Sequence, residues 1–518
     1  MTILLRQVKI ADQHSPFNGQ VKDILLQDAV LVSIQDHYDE KADQIVDLPG
    51  TIVSTGWVDP FTNFCDPGFE HKETLMTGAA AAQAGGFTTV FVVPNTQPVI
   101  DNKTQVNYIV QQQQHLPIQI LPIGALSKKI EGKDLAEMID MHQAGAVALS
   151  DGLYPVQSTL LFLKALQYVK TFDGVVIQMP IDKSMGSIGL MNEGITSTQI
   201  GLPGIPAIAE ELMIARDIEL LKYSNSKLHI TGVSTAKGIA LIEAGKKAGL
   251  ALTCSVTPYH LYFNETDLTT YDTLLKVYPP LRTKADQVAL QDAVQRGVVD
   301  CISAHHQPQD WDGKTIEFEY AHAGIACIET TYSTINHLFP KLKDEAIANL
   351  LSNHARQIFN FGKSVIQEGQ QVDLTLFNRE TAITPLKATS KSKSANNPFW
   401  DKALKGKVVV LNFWFVECKP CVSEIPELNE LVIDFQKEEV VFMALGLNKA
   451  EQLKKFLKKT PFNYQIVPDA MEVATQFGVT GFPTSVVIDQ NGVIRYISLG
   501  VGPENKEKLA AAIRLLII

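Results

Sequence analysis

From residue 56 to about residue 350 the chain alternates short, nearly continuous apolar runs with longer stretches of helical period. The apolar runs fall at 56–59, 88–93, 119–124, 146–150, 174–178, 227–231, 250–256 and 298–303, eight in all. Strands buried on both faces read as continuous β-branched and aliphatic runs, so these predict a parallel sheet. Helical patterns such as 207–221 and 236–248 fill the gaps. Eight such units predict a (β/α)8 TIM barrel over residues 56–359, with any site at the C-terminal ends of its strands.

The flanks break this rhythm. Residues 1–55 hold short strand patterns at 24–26, 29–34 and 44–48, then a break at Pro49-Gly50. That is too little for an independent core, and the alternating run 371–377 offers a further strand. Residues 1–55 and 360–403 are therefore expected to form one composite β-sandwich. Residues 388–400 are polar and read as a linker or surface loop. From residue 404 a new α/β pattern starts and runs to 518. It has strands at 407–414, 439–445, 481–489 and 493–498, a hairpin turn at Asn491-Gly492, a helix from Cys418 to about 435, a basic helix at 450–459 and a last helix at 505–515.

Bulk properties add exclusions. A chain of 518 residues needs more than one core. A net charge of −11 argues against a nucleic-acid or anionic-membrane surface. No signal-peptide pattern opens the chain and no apolar run reaches membrane-spanning length, so a cytoplasmic location is expected. Of six cysteines, Cys65, Cys254, Cys301 and Cys327 have no metal-type spacing and read as small apolar side chains. Cys418 and Cys421 form a Cys-x-x-Cys pair.

Several blocks along residues 1–405 carry a resemblance. They include Pro67-Gly68-Phe69-Glu70-His71-Lys72-Glu73-Thr74, Pro94-Asn95-Thr96, Met191-Asn192-Glu193-Gly194, Gly201-Leu202-Pro203-Gly204-Ile205-Pro206 and Pro279-Pro280-Leu281-Arg282. In order and spacing this part of the chain resembles the dihydroorotases, cyclic amidohydrolases of pyrimidine synthesis. The resemblance implies an amidohydrolase-type barrel in which zinc activates a water and polarises a ring carbonyl while an aspartate shuttles the proton.

The positions that would hold this chemistry are changed. The family's His-x-His falls on Phe61 and Asn63, two further histidines fall on Met179 and Gly232, and the catalytic aspartate falls on His305. On the substrate side an arginine becomes Cys65, an asparagine becomes Tyr278 and a histidine becomes Gln309; Asn95 persists, as does Asp151, which matches a metal-bridging aspartate of some members. Phe, Met and Gly offer zinc no ligand, and a catalytic zinc needs about three. A barrel without metal or catalysis is expected, and the resemblance then implies a scaffold for aspartate transcarbamoylase, as in non-catalytic homologues. The competing expectation is an active cyclic amidohydrolase with zinc held by Asp59, Asp151, His305 and His260. Asp59 also has the simpler reading of a strand-end residue capping backbone. A homo-oligomer is expected on either reading.

The C-terminal pattern places Cys418-Lys419-Pro420-Cys421 at a helix start after a buried strand. There the helix N-terminus lowers the Cys418 thiol pKa, and Cys421 is placed to resolve a mixed disulfide. With Gly481-Phe482-Pro483-Thr484 and Glu424-Ile425-Pro426-Glu427-Leu428, this part resembles TlpA/ResA-like thiol-disulfide oxidoreductases of the thioredoxin fold. The resemblance implies a cis Pro483 beside the dithiol and a dithiol or disulfide protein as partner. Glu417 stands where the family often has tryptophan. The segment Leu404-Lys405-Gly406-Lys407-Val408 suits both a dihydroorotase tail and the first thioredoxin strand, which points to two coding sequences joined at a shared stretch.

Overall fold

The computed structural model describes the whole chain except residues 40, 187–188, 363, 381–389, 395, 403–406, 437, 491–492, 503 and 518. The expected hairpin turn at Asn491-Gly492 and residues 404–406 of the shared segment lie outside the described residues. The chain forms two compact units, one over Met1–Ile383 with Ser390–Asn397, the other over Pro398–Ile518.

In the first unit all eight apolar runs are strands of one parallel sheet. They are Trp57–Thr62, Phe87–Val92, Gln119–Gly124, Ala148–Leu149, Val176–Gln178, Leu228–Ile230, Leu252–Val256 and Cys301–Ile302, paired in that order. The ring closes just beyond the first and last strands, where Asn63 N donates to His306 O at 2.8 Å. Phe61, Phe91, Ile123, Ile177 and Phe359 fill the interior. Branched and aromatic side chains packed at this density make a solid core rather than a channel.

A smaller sheet, in the order Leu374–Phe377, Ile52–Thr55, Thr2–Ile10, Val21–Gln27 and Val30–Gln35, flanks the barrel, with Gln44–Val46 pairing Thr2–Ile10. A bridge from Val30 to Gln371 bends its far edge back toward the late segment. Trp57 ties sheet to barrel. Its N–H donates to Thr375 Oγ1 at 3.1 Å, and its ring meets Phe87, Tyr332 and Phe377.

The linker or surface-loop reading of 388–400 fails at residues 394, 396 and 397. Ser394, Asn396 and Asn397 are buried. Asn396 Nδ2 donates to Gln307 O and Gly324 O, and Gln309 N donates to both Ser394 Oγ and Asn396 Oδ1 at 3.1 Å. The stretch is polar because it satisfies barrel-loop backbone groups, which a sequence pattern cannot tell from solvation.

The second unit is a five-stranded sheet ordered Gln465–Val467, Val440–Gly446, Val408–Trp414, Thr484–Ile488, Ile494–Leu499. The first three strands run parallel and the last two antiparallel. Val408, Val410 and Trp414 face the helices Lys419–Asp434 and Asn505–Arg514, whereas Val409, Leu411 and Phe413 face the helix Met471–Gln476. This is a thioredoxin-like arrangement. Val408–Trp414 is its central strand, so Val408 of the contested segment lies in this sheet, and among the described residues the small sheet's last strand in the chain is Leu374–Phe377.

Candidate functional site

At the barrel's C-terminal end the sequence-predicted residues hold one another and the backbone. Asp59 is fully buried. It accepts from Thr62 Oγ1 at 2.5 Å, Ser303 Oγ at 2.7 Å, Ala304 N at 3.1 Å and Phe61 N at 3.4 Å. It therefore ties the first strand to the end of the eighth. Burial raises its carboxyl pKa in spite of these donors.

His305 lies against Phe61, ring centroids 4.4 Å apart, and over Gly232. A Cβ at 232 would stand 2.7 Å from His305 Cε1, and Gly232 has φ +70°, a left-handed backbone suited to glycine. His305 Nε2 meets Thr231 Oγ1 at 2.6 Å, Thr231 meets Ser255 Oγ at 2.8 Å, and Ser255 meets His229 Nε2 at 3.1 Å. His229 Nδ1 closes the chain on Thr253 Oγ1 at 2.9 Å. Burial pushes both imidazoles down to about 3, so the network is neutral. Sequence reading missed this network. Its signal was the polar set His229, Thr231, Thr253 and Ser255, two apart along adjacent apolar strands.

The remaining positions are likewise engaged by neighbouring groups. Asp151 accepts from Leu126 N at 2.9 Å, Ser127 N at 2.8 Å and Ser127 Oγ; burial raises it to about 6. Asn95 clamps the next turn, donating to Asp151 O at 3.2 Å and accepting from Leu153 N at 2.9 Å. Asn63 Oδ1 accepts from Cys65 N at 2.9 Å, and burial pushes the Cys65 thiol up to about 12. Met179 is fully buried, and Tyr278 packs beside Ile181, Ile205 and Ala209. Gln309 bridges Lys72 Nζ at 2.9 Å and Ala323 O at 2.8 Å. A second buried pair went unforeseen: His306 Nε2 lies 3.6 Å from Glu73 Oε2. Burial opposes ionisation of Glu73, but His306, Ser392 and Thr77 outweigh it and hold the carboxyl pKa below its ordinary value.

These residues do not fit a catalytic zinc. His260 is occupied by Thr257 Oγ1 at 2.9 Å and Pro279 O at 3.1 Å, and the oxygens of Asp59 and Asp151 are taken by the donors above. Among the described residues no three His, Cys, Asp or Glu side chains form a group suited to a metal.

The second unit holds a different site. Cys418 caps the helix Lys419–Asp434, accepting from Cys421 N at 3.3 Å, and the two cysteines form a disulfide. Cys418 is 6% and Cys421 1% exposed, so the outer sulfur is the more accessible. The peptide before Pro483 is cis, and Phe482 packs against Phe415, ring centroids 5.4 Å apart, just ahead of the dithiol. Glu417 is exposed and bonded to Asn448 Nδ2 at 3.0 Å, which lowers its pKa. One turn past Cys421 on the same face, Glu424 is buried and accepts from Asn412 Nδ2 at 2.9 Å; burial raises it to about 7. Its distance from the dithiol in sequence, one helical turn, was readable, but its burial was not.

Comparison with known proteins covers both units. The family profile described as Dihydro-orotase-like matches residues 50–238, and that described as the AhpC/TSA family matches residues 385–497. A dihydroorotase of Syntrophus aciditrophicus is 35% identical over 419 residues, which is 79% of this chain and 97% of that protein. One of Caldanaerobacter subterraneus subsp. tengcongensis is 38% identical over 398 residues, 76% of this chain and 92% of that protein. Among solved structures, an L-hydantoinase (dihydropyrimidinase) from Arthrobacter aurescens superposes with a TM-score of 0.66 at 19% identity, covering 77% of this chain and 91% of that one. A dihydropyrimidinase from Brevibacillus agri gives 0.65 at 18% identity, with the same coverage. At such identities the structures speak to fold alone.

Proposed function

For a chain that belongs to the dihydroorotase family and ends in a thioredoxin-like AhpC/TSA domain, we propose a non-catalytic, metal-free barrel joined to a thiol-disulfide oxidoreductase. The observation that carries the barrel half is the filling of the family's metal positions: Phe61 and His305 pack against each other where ligand and proton shuttle would stand, and His305 covers Gly232. His305 is too weak a base to relay the proton, since burial holds its pKa at about 3 and Nε2 is bonded to Thr231 Oγ1. The barrel's role is then to bind a partner, an aspartate transcarbamoylase by family analogy, in the cytoplasm. Dihydroorotate turnover by the purified chain, with and without added zinc, tests the inactivity. Turnover matching an active dihydroorotase overturns it. Co-purification with the transcarbamoylase tests the partner, and a clean negative removes it.

In the redox half the Cys418 thiolate attacks one sulfur of a substrate disulfide and expels the other as a thiolate. Cys421 then attacks Cys418 Sγ, releases the second substrate thiol and leaves the Cys418–Cys421 disulfide, so two electrons pass to the substrate. The helix N-terminus favours the Cys418 thiolate. Insulin reduction driven by dithiothreitol tests this. It should fall to the uncatalysed rate in Cys418→Ser, and an unchanged rate would remove the assignment.

A further inference from the structure

A cleft of about 380 Å³ opens in the first unit, where residues 360–362, 364 and 365 lie beside residue 14 of the small-sheet segment. Arg356, which lines it, donates through Nη2 to Gly56 O at 3.0 Å, the residue just before the first barrel strand. The cleft therefore lies at the N-terminal face of the barrel, opposite the strand ends described above.

Among the described residues, most that line it are polar and the only charge is positive. Arg356, His14, Gln357, Asn360 and Ser364 surround it, Phe361 forms an apolar wall, and no carboxylate is among the lining residues. The Arg356 guanidinium lies 5.2 Å over the Phe361 ring, which holds it flat. Nε is directed to Ser352 Oγ at 3.4 Å and Nη2 to Gly56 O, so Nη1 and the second hydrogen of Nη2 are left, among the described residues, for another acceptor. Burial disfavours the charged guanidinium and the Asp373 carboxylate offsets this only in part, so a further anion beside it would be favourable. Ser364 Oγ is buried and, among the described residues, has no hydrogen-bond partner. A buried hydroxyl without a partner costs about 1–3 kcal/mol. His14 Nε2 faces two amide nitrogens, Gln13 Nε2 and Gln357 Nε2, both at 3.2 Å; these only donate, so the ring proton sits on Nδ1 as a further donor. The nearby Asp12 carboxylate is held by the backbone N–H groups of His14 and Ile366.

We infer that this cleft binds the oxyanion group, phosphate or carboxylate, of a small metabolite, with the end of the Arg356 fork and Ser364 Oγ as its principal donors and Phe361 against its apolar part. Occupancy would join the small sheet to the floor of the barrel, independently of either site above.

Calorimetric titration of the full chain with inorganic phosphate, and separately with succinate, tests this. Saturable binding of one equivalent is expected for at least one anion. The arm that binds names the class. Ser364→Ala removes no hydrogen bond among the described residues and should weaken binding about tenfold, and Arg356→Met should abolish it. Arg356→Lys keeps the charge without the fork and should bind more weakly than the native chain. No saturable binding of either anion, or binding that both Ser364→Ala and Arg356→Met leave unchanged, overturns the inference.

Discussion

His305 and Gly232 occupy each other's space: the imidazole rests where a side chain at 232 would project, 2.7 Å from the position of its Cβ. Each residue suits the other, since glycine admits the ring and the ring fills the room glycine leaves. Gly232→Ala should therefore destabilise the barrel by about 2–4 kcal/mol, from overpacking and from a left-handed φ that alanine tolerates poorly. In a His305→Ala background the overpacking part should vanish, leaving about 1 kcal/mol. A double-mutant cycle in urea measures the coupling, and additive effects would show that the two sites are independent.

Asp59 acts as a closing strut. Asp59→Ala takes the acceptor from Ala304 N and Thr62 Oγ1 and leaves Ser303 Oγ only Phe61 O at 3.4 Å, and unfolding midpoints should report a loss of about 3 kcal/mol or more. Asp59→Asn keeps an acceptor and should cost about half as much. An Asp59→Ala chain as stable as the native one would leave Asp59 without this role.

The buried imidazoles give a pH dependence of definite sign. His229 and His305 are held down to about 3 and His260 to about 4, against 6.5 when unfolded. The unfolded chain thus takes up protons that the folded barrel refuses, and these groups lower stability as pH falls from about 6.5 toward 4. Imidazole resonances of the three should stay at their neutral shifts down to pH 4.5. Titration of any of them near 6.5 in the folded chain would contradict the burial argument.

Glu424 has the opposite sense. Its folded pKa of about 7 exceeds the ordinary 4.5, so the folded second unit retains a proton that the unfolded chain releases. Stability of this unit should decline as pH rises from 4.5 through 7, by about 3 kcal/mol in all. Glu424→Gln should flatten that decline while keeping the contact to Asn412. An unchanged pH profile in the variant would assign the dependence elsewhere.

Much of the architecture was legible because burial leaves a pattern. Each of the eight continuous apolar runs became a barrel strand, although the paired portions shrank to Ala148–Leu149 and Cys301–Ile302. Candidate positions were legible too, since Phe61, Met179 and Gly232 stand where polar ligands were expected. What replaced them was not. Asp59 finds Ser303 across 244 residues of chain, and only closure of the barrel brings them together. Ser394 and Asn396 looked like solvated linker because a hydroxyl or amide bonded to barrel backbone has the same letter as one bonded to water. Pairings set by tertiary contact carry no local period, and these were all of that kind.

The central claim is that this barrel has exchanged its metal site for packing and neutral hydrogen bonds. The most direct measurement is equilibrium zinc binding by the full-length Cys418→Ser/Cys421→Ser chain, which removes the dithiol as a competing ligand. With dialysis against micromolar zinc followed by metal analysis, the account predicts well under a tenth of an equivalent retained per chain. One or two equivalents retained, lost on mutating Asp59, Asp151 or His305, would contradict it.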